Sequence, residues 1–197
     1  MMRKGERTRK MIVERSAEVF NTWGYFGTSM SDLVRETGLE KGGIYNHFGS
    51  KEQLALEVFD FSAELVLGRL EETLEGEGRT VERLVSAVEV HRTLAEDRPL
   101  HGGCPILNTA IEADDAQPAL REKVQQAMDR WQGLIVRTVR EGIANGELDP
   151  EADPETLATV LISTLEGAVM MSKLYGDTDH VHRVANHLTQ YVRALAR

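Results

Sequence analysis

The sequence has only one cysteine, Cys104, which excludes a disulfide bond within the chain. No segment alternates apolar and polar residues as a half-buried strand does, and no repeat or low-complexity segment is present. No apolar run has the length that a membrane span needs, and no signal peptide is recognisable. We therefore expect an all-α, cytoplasmic protein without a membrane partner.

The net charge of −9 would by itself argue against a nucleic-acid partner. Its distribution reverses that argument. Residues 1–51 carry nine Lys or Arg against six Asp or Glu, whereas the remainder carries fourteen against twenty-six. A basic N-terminal segment on an acidic remainder would orient the molecule on DNA. The basic residues at the start, between Arg3 and Lys10, fit either a phosphate contact or a solvated tail.

Residues 29–51 predict two short helices joined by a tight turn. Ser29 and Asp32 form a capping box, and Gly38 supplies the left-handed residue that ends the first helix. The second helix is predicted at Lys41–Phe48. A helix, a glycine-containing turn and a second helix form the unit that places its second helix in the major groove of DNA.

The second predicted helix is unusual because Gly42 and Gly43 occupy its first turn, where each costs about 1 kcal/mol relative to alanine. A glycine pair is useful there if a large partner must approach the backbone. Ile44 and Phe48 are expected to face the core. The outward residues include no carboxylate: Lys41, Gly42, Gly43, Tyr45, Asn46 and His47. The alternative is a polar helical corner without a binding function.

These motifs resemble the DNA-binding domain of TetR-family transcriptional regulators. The resemblance lies in Ala17, Phe20, Gly24-Tyr25, Thr28-Ser29-Met30, Gly38-Leu39, Gly42-Gly43-Ile44-Tyr45, His47-Phe48 and Ser50-Lys51-Glu52. One departure is Glu40, where the family usually has serine or threonine capping the second helix; its carboxylate can still cap, but it puts a negative charge beside the DNA.

The resemblance implies a helix-turn-helix DNA-binding domain at residues 1–49 and a helical ligand-binding and dimerisation domain at residues 50–197. It implies a homodimer, paired through the last two helices, on a palindromic operator that a small-molecule inducer of unknown identity releases. The predicted phosphate contacts are Thr28, Lys41, Tyr45, His47 and Lys51. The predicted base-reading residues are Gly42, Gly43, Tyr45 and Asn46.

Further helices are predicted across the rest of the chain, and several of their residues are candidates for a ligand pocket. A methionine and aromatic stripe is more often plain core than a pocket wall, and the candidates are His91, Met128, Trp131, Met170 and Met171. In the last helix, Leu188 and Val192 are expected to form an apolar stripe at the dimer interface.

Cys104 is predicted at the N-cap of a helix with Pro105 in its first position. The surrounding residues resemble a branch of the family in which some members respond to electrophiles, and Lys173 falls where those relatives can carry a lysine. Glu112, Asp114 and Asp115 are interpreted as a solvated helix end rather than a metal site, and we expect no metal or cofactor. Two alternatives remain: a thiol-dependent enzyme centred on Cys104, although we expect no enzyme, and a DNA-binding dimer without a ligand.

Overall fold

The structure is a computed structural model that describes residues 3–97, 99–113 and 117–197. Over those ranges the chain is helical without a strand, and a single β-bridge joins Leu148 to Ala196. This confirms the predicted all-α class. The helices are α1 (Lys4–Gly27), α2 (Met30–Thr37), α3 (Lys41–Tyr45), α4 (Lys51–Leu74), α5 (Thr80–Glu96), α6 (Pro105–Ala113), α7 (Pro118–Ala144), α8 (Pro154–Tyr175) and α9 (Asp179–Ala194).

The ends of α2 follow the local chemistry that the sequence predicts. The Asp32 backbone N–H donates to Ser29 Oγ at 3.2 Å, and the Ser29 N–H donates to Asp32 Oδ2 at 3.0 Å. The Ser29 hydroxyl also donates to Asp32 Oδ2 at 2.6 Å, and this bond, with the one from the Ser29 N–H, holds the pKa of Asp32 below its ordinary value. Gly38 ends the helix at φ +70°.

The start of α3 has no side-chain cap. Glu40 has an extended backbone at the N-cap, but its carboxylate does not make the capping hydrogen bond that it could supply. The helix proper ends at Tyr45. Helical hydrogen bonding continues for one more turn, because the Phe48 N–H donates to the Ile44 carbonyl at 3.0 Å.

Gly24 interrupts α1, and the helix then resumes for a short turn. Its φ of 71° and ψ of 176° are not helical, and helical residues follow as far as Gly27. The kink separates a long first segment from the turn that leads into α2. A left-handed φ favours glycine at this position.

The chain forms two compact units, of which the first comprises residues 1–65 and 100–126. Its core joins α1, α2, α3 and the start of α4. The buried residues of that core are Ile12, Val13, Ala17, Leu33, Ile44, Phe48, Leu54 and Val58. This core sets the orientation of α3 against its two supporting helices.

The second unit comprises residues 66–99 and 127–197, in which α9 packs against α5 and α8. Leu188 and Val192 are 1% and 0% exposed, so the expectation that they form a dimer interface is wrong. Their apolar stripe is covered by helices of the same chain. The predicted domain boundary between residues 49 and 50 stays a prediction.

Helix α8 corrects the expectation that no apolar segment has the length of a membrane span. Its 22 residues, Pro154–Tyr175, are long and apolar enough to cross a membrane by length and composition alone. The central helix of a folded core passes the same test. Residues such as Leu157, Leu161 and Leu165 are buried here, so its apolar character serves packing within the second unit.

Candidate nucleic-acid interface

Helix α3 presents the predicted polar surface to solvent. Lys41, Gly42, Tyr45 and Asn46 are exposed, and Gly43 and His47 are half-buried. The two inward residues behave as predicted, since Ile44 and Phe48 are each 1% exposed. Apolar anchors one turn apart therefore turn one face of the helix inward and leave the opposite face free for a partner.

The chain's own packing does not require the glycine pair in α3. Among the described residues, a Cβ built on Gly42 meets no heavy atom within 4 Å, and one built on Gly43 meets only the Leu39 Cβ at 3.7 Å. Neither residue has a left-handed φ. Alanine would therefore fit both positions and would favour the helix. The glycines leave the backbone open to a closely approaching partner.

Two side chains project beside this open backbone. The Lys41 ammonium lies 5.8 Å from the centroid of the Tyr45 ring, and the ring is 37% exposed. An ammonium near the face of an aromatic ring gains a weak cation–π attraction. The pair offers a positive charge and a phenol hydroxyl to one partner.

Arg9 supports α3, a role that its place in the basic N-terminal segment does not by itself predict. Its guanidinium donates to the His47 carbonyl and to the Glu57 carboxylate, and its Cζ lies 4.2 Å from the centroid of the Phe48 ring. Helical spacing offered a signal, because Ile12 and Val13, three and four residues later, are buried on the same side of α1. Arg9 therefore holds the C-terminal end of α3 in place.

Thr28 and Lys51 are less exposed to solvent than Lys41 and Tyr45 of α3. Thr28 is 2% exposed, and its hydroxyl donates to the Gly24 carbonyl at 2.7 Å. The Lys51 ammonium donates to the Tyr25 carbonyl at 2.5 Å and lies 4.4 Å from the Tyr25 ring centroid. An ammonium has three donors, so Lys51 can bind a phosphate while keeping this bond. Both phosphate assignments stay predictions.

Glu112 differs from the interpretation as a solvated helix end. Its carboxylate accepts hydrogen bonds from the backbone N–H groups of Tyr25 and Phe26 at 2.6 and 2.7 Å. Asp114 and Asp115, the other two residues of that predicted cluster, lie outside the described residues. Local sequence does not indicate this contact, because Phe26 and Tyr25 lie 86 and 87 positions before Glu112.

His91 and Trp131, two of the predicted ligand-lining residues, stack on one another in the second unit. Their ring centroids are 5.0 Å apart and their planes differ by 12°. Complete burial lowers the pKa of His91 to about 4, so the imidazole is neutral at pH 7. Its Nε2 is buried without a hydrogen-bond partner among the residues that the structure describes.

The remaining predicted ligand-lining residues are distributed over three helices or their ends. Met170, Met171 and Lys173 are exposed on α8, and Met128 is half-buried on α7. Cys104 is half-buried directly before α6, and its carbonyl accepts the Asn108 N–H, as predicted for an N-cap residue. Their roles in ligand binding stay predictions.

No three His, Cys, Asp or Glu side chains within residues 3–97, 99–113 and 117–197 are grouped so that they could hold a metal ion. The expectation of a protein without a metal or cofactor stays a prediction.

Comparison with known proteins covers nearly the whole chain. Residues 12–58 match the family model of bacterial regulatory proteins, tetR family, and residues 80–188 match the model of a tetracyclin repressor-like C-terminal domain. The first match contains α2 and α3. The second begins at the first residue of α5.

Similar proteins include regulators from other bacteria. The uncharacterized HTH-type transcriptional regulator Rv0196 of Mycobacterium tuberculosis is 30% identical, over 91% of this chain and 93% of its own. The HTH-type transcriptional repressor DhaR of a Mycobacterium species is 26% identical, over 84% and 82%. A crystal structure of a TetR transcriptional regulator from Chloroflexus aurantiacus superposes with a TM-score of 0.94, at 47% identity, over 100% and 99% of the two chains.

Proposed function

The chain belongs to the TetR family of helix-turn-helix transcriptional regulators, and from this premise we propose that it is a homodimeric repressor of bacterial transcription. The dimer would bind a palindromic operator through the two copies of α3 and would act in the cytoplasm, where the chromosome lies. A small molecule bound by the second unit, or an electrophile acting on Cys104, would release it. The relative DhaR is named a transcriptional repressor, which supports repression rather than activation.

The open backbone at Gly42 and Gly43 is the observation that carries the DNA-binding part of this proposal. The chain gives up helix stability at two successive positions without any steric need of its own. A duplex in contact with α3 explains that loss. Lys41 and Tyr45 then supply contacts to phosphate, and the exposed edge from Gly42 to Asn46 faces the bases.

Exposed apolar residues on α8 and α9 support a homodimer through these two helices. Leu174 and Tyr175 are 75% and 67% exposed at the end of α8. Met170 and Met171 on α8 and Tyr191 on α9 are exposed as well. A two-fold interface that covers this surface would bury Met170 and Met171 against the partner. Two copies of α3 related by such an axis read half-sites about one helical turn, or a multiple of it, apart.

Release requires a ligand that binds more tightly to the form of the dimer in which the two α3 helices do not match the operator. The neutral His91 imidazole stacks on Trp131, and its Nε2 has no hydrogen-bond partner in the described part of the chain, which supports a ligand with a hydrogen-bonding group and an apolar part. Met128 is a further candidate for the wall of such a site. A dimer without any ligand is the alternative, and a search for compounds that raise the melting temperature decides between them.

Selection of genomic fragments on immobilised protein tests the DNA-binding proposal. We expect wild-type protein to retain a small set of fragments that share a palindrome, and Tyr45→Ala protein of unchanged fold to retain none of them. The genes beside the palindrome identify the regulated pathway. If genomic and random duplexes were retained to the same extent at moderate salt, the protein would have no specific operator, and this part of the proposal would fail.

A further inference from the structure

We propose that Glu112 of α6, which lies outside the helix-turn-helix, is a positioning residue for DNA binding. Its carboxylate holds the turn at Tyr25 and Phe26 and, through that turn, the phosphate-contacting ammonium of Lys51. The inference rests on the proposed function, because it assigns Glu112 to the same DNA-binding surface. All the residues that carry it lie in the first unit.

The kink at Gly24 creates the need for such a residue. In an uninterrupted helix the Tyr25 N–H would donate to the Asn21 carbonyl, four residues earlier. Here the two groups bond to α6 instead. The Tyr25 N–H donates to Glu112 Oε2 at 2.6 Å, and Asn108 Nδ2 donates to the Asn21 carbonyl at 3.1 Å.

Asn108 and Glu112 are four residues apart and therefore lie on the same side of α6. Glu112 supplies an acceptor for the Tyr25 N–H, and Asn108 supplies a donor for the Asn21 carbonyl. An unbroken helix would have paired these two backbone groups with each other. Asn108 also donates to Asn21 Oδ1 at 3.0 Å, and Asn21 Nδ2 donates to the Gly103 carbonyl at 3.0 Å. Side chains of α6 thus bind both the donor and the acceptor of the broken helical hydrogen bond.

Gly24 allows the carboxylate to approach this closely. A Cβ at Gly24 would overlap the Glu112 carboxylate, and the left-handed φ of 71° adds a second reason for glycine. The Phe26 N–H, which donates to Glu112 Oε1 at 2.7 Å, completes a two-amide site for one carboxylate. Bonds from N–H groups to an ionised acceptor are stronger than bonds between neutral groups.

Lys51 connects this site to the DNA-binding surface. Its ammonium donates to the Tyr25 carbonyl at 2.5 Å, the same residue whose N–H donates to Glu112. Burial lowers the pKa of Lys51, and the nearby charge of Glu112 opposes that shift. Glu112 therefore both fixes the residue to which Lys51 is bonded and favours the charged ammonium that a phosphate needs.

Glu112→Gln tests the inference, because the amide has one acceptor oxygen in place of the two that Tyr25 and Phe26 use, and it carries no charge. The matched control is Glu36→Gln, which removes the same charge from an exposed site on α2. We expect Glu112→Gln to bind the selected operator fragment about tenfold more weakly, with the log–log salt slope lower by about one. Loss of a nearby negative charge alone would strengthen binding in both variants.

A double-mutant cycle separates positioning of Lys51 from general destabilisation. If Glu112 acts through Lys51, Glu112→Gln will not lower the salt slope further in a Lys51→Ala background. Glu112→Asp, which keeps the carboxylate, should recover part of the affinity and serves as the second variant if Glu112→Gln does not fold. Operator binding by Glu112→Gln that equals or exceeds the wild-type affinity, with an unchanged slope, would overturn the inference.

Amide hydrogen exchange of the DNA-free protein examines the contact independently of any operator. Exchange at Tyr25 and Phe26 should accelerate in Glu112→Gln and remain unchanged in Glu36→Gln. Faster exchange combined with wild-type operator binding would make Glu112 a structural residue only. A wild-type protein without any operator would contradict the proposed function, whereas the exchange result would still show whether Glu112 holds the turn.

Discussion

The guanidinium of Arg9 lies over the ring of Phe48, with its Cζ 4.2 Å from the ring centroid. The same group donates to the His47 carbonyl and pairs with the Glu57 carboxylate, so it joins α1, the end of α3 and α4. A planar guanidinium can stack and donate several hydrogen bonds simultaneously, which an ammonium cannot. Arg9 is therefore part of the support for α3 rather than of a solvated N-terminal tail.

We predict that Arg9→Met lowers the free energy of unfolding by about 1–2 kcal/mol, because the His47 carbonyl and the Glu57 carboxylate lose a donor. Operator affinity should fall as well. Arg7→Met on the exposed side of α1 is the control. It should leave the stability unchanged and alter only the salt slope of operator binding. Urea unfolding measures the stability. Equal stability of the two variants would show that the Arg9 contacts contribute nothing.

Gly42→Ala should separate helix stability from DNA binding. Alanine fits α3 without a clash, so we expect the free energy of unfolding to rise by up to about 1 kcal/mol. Operator affinity should fall at least tenfold, because the added methyl group occupies space that the DNA backbone or bases need. Gly133→Ala in α7 is the control, with no expected loss of affinity. A stabilised Gly42→Ala protein that binds the operator normally would remove the steric explanation for the glycine pair.

The sequence predicts the parts of this structure that local chemistry determines. Caps such as Ser29 with Asp32 and breaks such as Gly38 involve residues a few positions apart, so the helix boundaries and the surface of α3 follow from the chain itself. Glu112 could not be predicted, because its partners in α1 are brought to it only by tertiary packing. Periodicity identified Leu188 as part of an apolar stripe, but periodicity does not say which helix covers the stripe.

The dimer interface should therefore be tested on α8 rather than on the inner side of α9. We predict that Leu174→Glu yields monomers in sedimentation experiments, because a charge would replace an apolar side chain that is 75% exposed in the single subunit. Ile111→Glu is the matched control, since Ile111 is 65% exposed on α6. A dimer that survives Leu174→Glu but not Ile111→Glu would move the interface to α6.

His91 should make the stability of the protein depend on pH. Its pKa is about 4 in the folded chain against an ordinary value of 6.5. Between these values the unfolded chain binds a proton that the folded chain does not, so stability is full above pH 6.5 and falls as the pH decreases towards 4.

From pH 7 to pH 5 this group should lower the free energy of unfolding by about 2 kcal/mol. Urea unfolding at one protein concentration measures the change. His91→Phe keeps an aromatic ring against Trp131 and should lose that part of the pH dependence. His101→Gln, at an exposed position, should keep it. An identical pH dependence in wild-type and His91→Phe protein would mean that His91 is protonated without cost.

The reactivity of Cys104 determines whether an electrophile can release the repressor. One hypothesis is that its position directly before Pro105, at the start of α6, favours the thiolate through the N–H groups and dipole of the helix. The alternative is a half-buried, inert thiol that packs as a small apolar side chain. Titration with a thiol reagent distinguishes them first, because only an accessible thiol of lowered pKa reacts rapidly at pH 7.

If the thiol reacts, N-ethylmaleimide should release wild-type protein from the operator fragment, since alkylation adds bulk at the start of the helix that carries Asn108 and Glu112. Cys104→Ser should bind the same fragment with wild-type affinity and remain bound after treatment. Release of the Cys104→Ser protein by the reagent would place the modification elsewhere. An unreactive Cys104 would leave a non-covalent ligand as the signal, and the Nε2 of His91 would then be the first group at which to look for it.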